Sequence, residues 1–224
     1  MNLLVKSLKS VKDTILPSGA EYRKLPFGIV KGNVMKIDFH HNFRQYLGLY
    51  EFELNSSFKD LVRPGYKCFD VGGKGGYNAL MMARLSRGAP VVSFECEDEA
   101  VDELHEVFSK NTYDIQIQKG FVSNVDDEKS VTIDTAAKKY FVPDFIKMDI
   151  EGAEVLALEG ASEVLKEHMP HLIIEVHGKD KEEGCLDILN DLGYDIKIID
   201  QTTILPEKRD TFAHIRWLVC KGKK

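Results

Sequence analysis

Five side chains stand where this sequence could do chemistry: Asp70, Glu95, Asp149, Glu175 and His177. Each closes, or lies near the end of, a short apolar run: Cys68-Phe69-Asp70, Val91 to Glu95, Phe145 to Asp149, Leu172 to His177. Carboxylates and imidazoles accept hydrogen bonds, move protons and ligate divalent cations. Next to Asp70 runs Gly72-Gly73-Lys74-Gly75-Gly76-Tyr77, with four glycines in five positions, and Asn78 to Leu85 then reads as a helix. The order is strand, tight turn, helix. Glycine tolerates positive φ and lets backbone approach a ligand, and the start of a helix aims unpaired N–H groups outward. Gly72, Gly73 and Gly76, with Asp70 and Tyr77, are therefore expected to form a nucleotide-type cradle.

These residues need a scaffold that brings strand ends together. After the glycine turn, apolar runs at Val91–Glu95, Ile115–Lys119, Phe145–Ile150, Leu172–Gly178, Tyr194–Ile199 and His214–Cys220 alternate with helical stretches. Alternating strands and helices make parallel βαβ units, an open sheet covered on both faces. The connection from Asp200 to Ala213 holds Pro206 and Glu207-Lys208-Arg209-Asp210 but no apolar helical stripe, so the seventh strand is expected to return antiparallel. Asp98 is expected to cap a helix whose apolar face holds Val101, Leu104, His105 and Phe108. Asp149 is read as running straight into another helix, which puts Glu151 and Glu154 on one of its faces.

Residues 1–65 read as a cover belonging to the same domain as residues 66–224. Leu4, Leu8, Val11 and Ile15 recur at helical spacing between lysines, and runs from Phe27 to Asp38 flank Lys31-Gly32-Asn33 as a hairpin. The 224 residues carry a formal net charge of -6, which argues against nucleic acid as a partner and for a small molecule. Cys68, Cys96, Cys185 and Cys220 fall at no metal-ligand spacing, so structural zinc is not expected. The amino-terminal apolar residues are interrupted by Lys6, Lys9 and Lys12, leaving no membrane-spanning run, and the chain reads as cytoplasmic. A homodimer built through the first helix remains open.

In an open sheet of this kind a ligand lies beyond the carboxyl ends of the strands, where Asp70, Glu95, Asp149 and His177 sit. Glu95 is placed to accept two hydrogen bonds from a ribose diol. A dinucleotide site would use the same acid, but its glycine pattern needs a third small residue where Asn78 stands. S-adenosylmethionine, an adenosine cofactor without a pyrophosphate, fits better, and the class I, Rossmann-like methyltransferase fold also has seven mostly parallel strands with the last antiparallel. Ser123 or Phe121, just past the third strand, is placed to meet adenine.

The motifs Asp70-Val71-Gly72-Gly73-Lys74-Gly75-Gly76-Tyr77, Phe94-Glu95, Thr132-Ile133-Asp134, Phe145 to Glu154, Gly160-Ala161 and Ile174-Glu175-Val176-His177 resemble, in this order, those of the FkbM-type methyltransferases. The likeness covers about Tyr50 to Gly178, and Lys74 departs from the asparagine usual in that family's loop. It implies an S-adenosylmethionine-dependent methyltransferase acting on a hydroxyl of a sugar, glycolipid or secondary metabolite. The competing readings are a catalytically inactive binding or scaffold protein and a nicotinamide-dependent oxidoreductase. Two chemistries stay open at the acidic end. In one, His177 removes the acceptor's proton, oriented by Glu175 or Asp149. In the other, Asp149, Glu151 and His177 hold a divalent metal. Asp134 is read as either a cap for its own helix or a site residue.

Overall fold

The computed structural model describes residues 17–202 and 214–223. The expected first helix lies outside the described residues, as does most of the last connection.

Strands β1 (Ala20–Lys24) and β2 (Val34–Asp38) pair antiparallel, with Tyr22 opposite Lys36. The hairpin is therefore longer than expected, and the stretch from Phe27 to Val30 is loop. Pro26 has no N–H for a ladder. The turn closes instead through Leu25 N–H to Asn33 O and Gly32 N–H to Leu25 O, both 2.8 Å. Two short helices follow, α1 (Phe43–Tyr46) and α2 (Asn55–Leu61).

The chain then lays down β3 (Cys68–Val71), α3 (Tyr77–Leu85), β4 (Val91–Glu95), α4 (Asp98–Ser109) and β5 (Ile115–Lys119). A small parallel pair, β6 (Phe121–Val122) and β7 (Ser130–Val131), precedes α5 (Ile133–Lys139) and β8 (Phe145–Met148). Helices α6 (Glu154–Glu159) and α7 (Ser162–His168), β9 (His171–His177), α8 (Lys179–Asp191), β10 (Asp195–Asp200) and β11 (Ile215–Lys221) complete it. Seven strands form one sheet in the order β10-β11-β9-β8-β3-β4-β5. Strand β11 runs antiparallel to both β9 and β10, as expected, and the remaining pairs are parallel.

Alternation along the strands divides the core between two faces. Cys68, Val91, Phe145, Ile173 and Trp217 pack with the cover, α3 and α4. Phe69, Val92, Ile146, Ile174 and Leu218 pack on the opposite face with α5 to α8. The same period places Asp70, Lys147 and Glu175, each two residues on from Cys68, Phe145 and Ile173, on the cover's side of the sheet. The apolar layer thus gives way to a charged one just where the strands end.

Two helical expectations are corrected. His105 is exposed, because Val107 completes the buried face with Val101, Leu104 and Phe108. Asp98 lies inside α4, which has Glu97 at its N-cap and no side-chain cap, and Asp98 pairs with Lys119.

Candidate functional site

The glycine turn is dictated first by packing between strands. Gly72 has φ +90°, and a Cβ there would lie 1.8 Å from the carbonyl oxygen of Asp149. A Cβ on Gly73 would lie 1.9 Å from Ser93 Oγ. The N–H groups of Gly72 and Gly73 both donate to Phe94 O, at 3.0 and 2.9 Å, and Gly76 N–H donates to Gly73 O at 2.8 Å. The first two amides are thus spent on β4 and the third within the turn. The glycines also bring β3, β4 and β8 close enough for their terminal side chains to share one space.

That space is a cleft of about 770 Å³ over the strand ends. Asp70, Tyr77, Asn78, Glu95, Phe121 and Asp149 line it, and Lys36, His41, Gln45 and Tyr50 reach it from the cover. Asp70 is buried. Its Oδ2 accepts from Ser93 Oγ at 3.2 Å, and its Oδ1 has no hydrogen-bond partner among the described residues. Burial pushes its pKa up to about 7, with Lys147 and Ser93 opposing and Asp149 and Glu51 adding to the rise. Asn78 Oδ1 is a second buried acceptor without a partner. Glu95 Oε1 accepts the N–H groups of Cys96 and Glu97 at 2.7 and 3.0 Å, which fixes the carboxylate at the cleft wall.

The remaining sequence candidates divide. Phe121 lines the cleft and is 55% exposed, whereas Ser123 is not among the lining residues. Ser123 donates its N–H to Val131 O, and its carbonyl packs where a Cβ on Gly160 would be 2.0 Å away. Asp134 is a clamp: its carboxylate accepts the N–H groups of Glu163 and Val164, both at 2.9 Å, at the start of α7. Thr132 caps α5, the helix that contains Asp134, through Thr135 N–H.

The acidic end is arranged differently from the expectation. Glu151 has φ +50° and is exposed, Gly152 has φ +110°, and α6 begins only at Glu154. Positive φ cannot continue a right-handed helix, so Glu151 and Glu154 do not share a helical face. Glu151 stays on the cleft wall. Glu154 turns inward, is fully buried, accepts Gly152 N–H at 2.8 Å and takes the Nδ1–H of His177 at 2.7 Å. His177 Nε2 then lies 3.5 Å from Asp149 Oδ1 and 3.9 Å from Glu175 Oε1. Glu175 is held by Trp217 Nε1–H at 2.8 Å and Gln201 Nε2–H at 3.2 Å. The cluster is thus Asp149, Glu175 and His177, with Glu175 where the sequence reading put Glu151. Of the three only Asp149 lines the cleft.

Electrostatics follow from burial. Glu175 is pushed up to about 8, by burial first and then by Asp149 and Glu51, against Lys147 and Trp217. Burial works to lower the His177 pKa, but the hydrogen bond to Glu154 and the charges of Asp149, Glu154 and Glu175 outweigh it and raise the net value.

Sequence reasoning undervalued Lys147 and Glu51. Lys147 is completely buried, and its Nζ lies 4.0 Å from Glu51 Oε2. Burial lowers its pKa, but Glu51, Asp149, Glu175 and Asp70 more than restore it, so the ammonium stays charged. The readable signal was a lysine inside Phe145-Ile146-Lys147-Met148, at a position whose period demands an inward side chain. Glu51, with φ +43° between two short helices, had no such signal.

A family model, the Methyltransferase FkbM domain, matches residues 70–218. No protein among the curated sequences matches the chain. Among solved structures, the FkbM methyltransferase of Methylobacillus flagellatus superposes with a TM-score of 0.54 at 20% identity, over 79% of this chain and 52% of that one. Precorrin-6y C5,15-methyltransferase from Geobacter metallireducens gives 0.55 at 11% identity, over 75% and 86%. An S-adenosylmethionine-dependent O-methyltransferase from Thermotoga maritima gives 0.54 at 16%, over 78% and 66%. The strand order, with its antiparallel β11, is that of the Rossmann-like class I methyltransferases. The matched residues run from Asp70 at the glycine turn through β11, and on that match the chain belongs to the FkbM family of S-adenosylmethionine-dependent methyltransferases.

Proposed function

We propose that this protein transfers a methyl group from S-adenosylmethionine to a hydroxyl of a sugar, glycolipid or other small metabolite. The observation that carries the donor's placement is the pair of buried acceptors, Asp70 Oδ1 and Asn78 Oδ1, without partners on the cleft side of the glycine turn. An ammonium has three donors and no acceptor, so the amino group of the donor's methionine end satisfies both. A pyrophosphate brings only acceptors and negative charge to the same place, which speaks against a dinucleotide. Glu95 then holds the ribose, and Phe121 is the aromatic face offered to adenine, a role the sequence reading shared with Ser123.

The donor, when bound, supplies a methyl group already attached to a cationic leaving group, so the protein's main task is alignment. Asp149 stands on the cleft wall, with His177 behind it at 3.5 Å. Asp149 meets the acceptor's hydroxyl and takes its proton, while Glu154, Glu175 and Trp217 hold His177 and the neighbouring carboxylate in place. Lys36, His41, Gln45 and Tyr50 form the acceptor side. No helix among the described residues is long and apolar enough to cross a membrane, and a small acceptor presented in the cytoplasm fits the cleft.

Calorimetric titration of the full chain with S-adenosylmethionine, its demethylated product and NAD tests the assignment. Binding of the first two, weakened at least tenfold by Asp70→Asn and by Glu95→Gln, is expected. Binding of NAD alone, or of none of the three, overturns it.

A further inference from the structure

We infer that Asp149, Glu175 and His177 form a binding site for one divalent cation of the magnesium or manganese type, with Glu154 as its positioning residue. One ligand atom from each lies within 4.8 Å of the others. The separations of His177 Nε2 from Asp149 Oδ1 and Glu175 Oε1, 3.5 and 3.9 Å, exceed a hydrogen bond. They suit atoms sharing an ion: two ligands at roughly 2.1 Å stand about 3.0 Å apart at a right angle and farther apart at wider angles.

The imidazole is set for this task. Glu154 occupies Nδ1, so Nε2 is the ring atom presented to the two carboxylates. A carboxylate behind a ligating imidazole is the usual outer partner at metal centres, where it fixes the tautomer. Glu154 is itself anchored by Gly152 N–H, and Glu175 by Trp217.

Burial bears on the site as well. Glu154, Glu175 and His177 are all withdrawn from water. Glu154 Oε2 is buried with no hydrogen-bond partner among the described residues. A carboxylate withdrawn from water is stabilised by a cation held beside it. Two carboxylates, one imidazole and no thiolate suit magnesium or manganese better than a softer metal. The side chain of Asp149 is 26% exposed and lines the cleft, so the open positions of the ion face the acceptor. What the ion acts on rests on the methyl-transfer reading, since a hydroxyl held at those positions is made more acidic.

The test uses the full chain, stripped with EDTA and titrated with manganese chloride while free Mn²⁺ is followed by electron paramagnetic resonance, without donor. One Mn²⁺ per chain is expected, displaced by magnesium. His177→Ala and Glu175→Gln should each weaken binding at least tenfold, and Glu154→Gln by roughly 10- to 100-fold. Glu151→Gln should leave it unchanged. Pulsed spectra of the wild-type complex should show coupling to an imidazole nitrogen, a readout that needs no variant to fold. No bound Mn²⁺, no nitrogen coupling, or affinity unchanged in His177→Ala and Glu175→Gln overturns the inference. Donor affinity measured on the same stock separates the two proposals. A chain that binds S-adenosylmethionine but not Mn²⁺ loses the metal site alone, and the converse loses the donor reading alone.

Discussion

Replacing Lys147 with methionine tests whether the charged layer under the cleft is balanced as the geometry implies. Methionine keeps most of the aliphatic stem, so the loss is one of charge and leaves little cavity. Lys147 and Glu51 both have side chains 1% exposed. Removing one member of such a buried pair costs about 3–5 kcal/mol, because the buried acids around it lose a counter-charge. Against a total stability of about 5–15 kcal/mol this is a large fraction. The cost must also depend on pH. Asp70 and Glu175 already have raised values, about 7 and about 8. The folded protein therefore holds protons that the unfolded chain releases near pH 4. Their contribution to stability is fully present below about pH 4 and is lost as pH rises through about 7 and 8. Removing the lysine raises both values further. The deficit of Lys147→Met should then be largest at pH 8 and shrink by up to about 1.4 kcal/mol per pH unit for each proton taken up as pH falls toward 5. Urea unfolding of both proteins at pH 5, 6.5 and 8 measures it. A deficit below about 1 kcal/mol at pH 8, or one that grows on acidification, would refute the reasoning.

Two further outcomes follow from the cleft itself. Gly72→Ala should lose about 3 kcal/mol or more in urea unfolding, from a Cβ 1.8 Å from Asp149 O and a positive φ together. Gly75→Ala, in open space at φ +72°, should lose only about 1 kcal/mol, and equal losses would contradict the packing account. Because Asp70 titrates at about 7, a cationic ligand beside it should expel roughly half a proton on binding at pH 7. Calorimetry of S-adenosylmethionine binding in two buffers of different ionisation enthalpy reads that proton, and a heat independent of buffer would count against the contact.

The sheet was legible because its strands are short apolar runs punctuated by glycine turns, and the antiparallel β11 because its connection lacked an apolar helical stripe. The hairpin register was not, since Pro26 and the contact between Gly28 and Gly48 decide it, and the second of these joins distant parts of the chain. At the site, period-two alternation foretold that Glu175 and His177 share a face. The start of α6 was misplaced because Glu151 adopts positive φ, a conformation its residue type does not announce. That single turn decides which acid reaches His177. The bonding of the glycine amides was not legible for a related reason: whether an N–H is free depends on Phe94 O, which belongs to the neighbouring strand.

Glu51 makes the cover part of the site's electrostatics rather than a lid over it. It reaches the ammonium of Lys147 from between two short helices, while the adjacent Tyr50 packs edge-on against Tyr77, with ring centroids 5.2 Å apart, where α3 begins. Tyr50 and Tyr77 both line the cleft. A displacement of the cover that let an acceptor in would have to draw Glu51 away from Lys147 or carry the pair's imbalance into the sheet. The charge on Lys147 would then fall to Asp70, Glu175 and Asp149, the acids to which the proposed function gives donor and acceptor roles. On that proposal, acceptor entry and the ionisation of Asp70 would be coupled through this one buried lysine, with no motion of the sheet required.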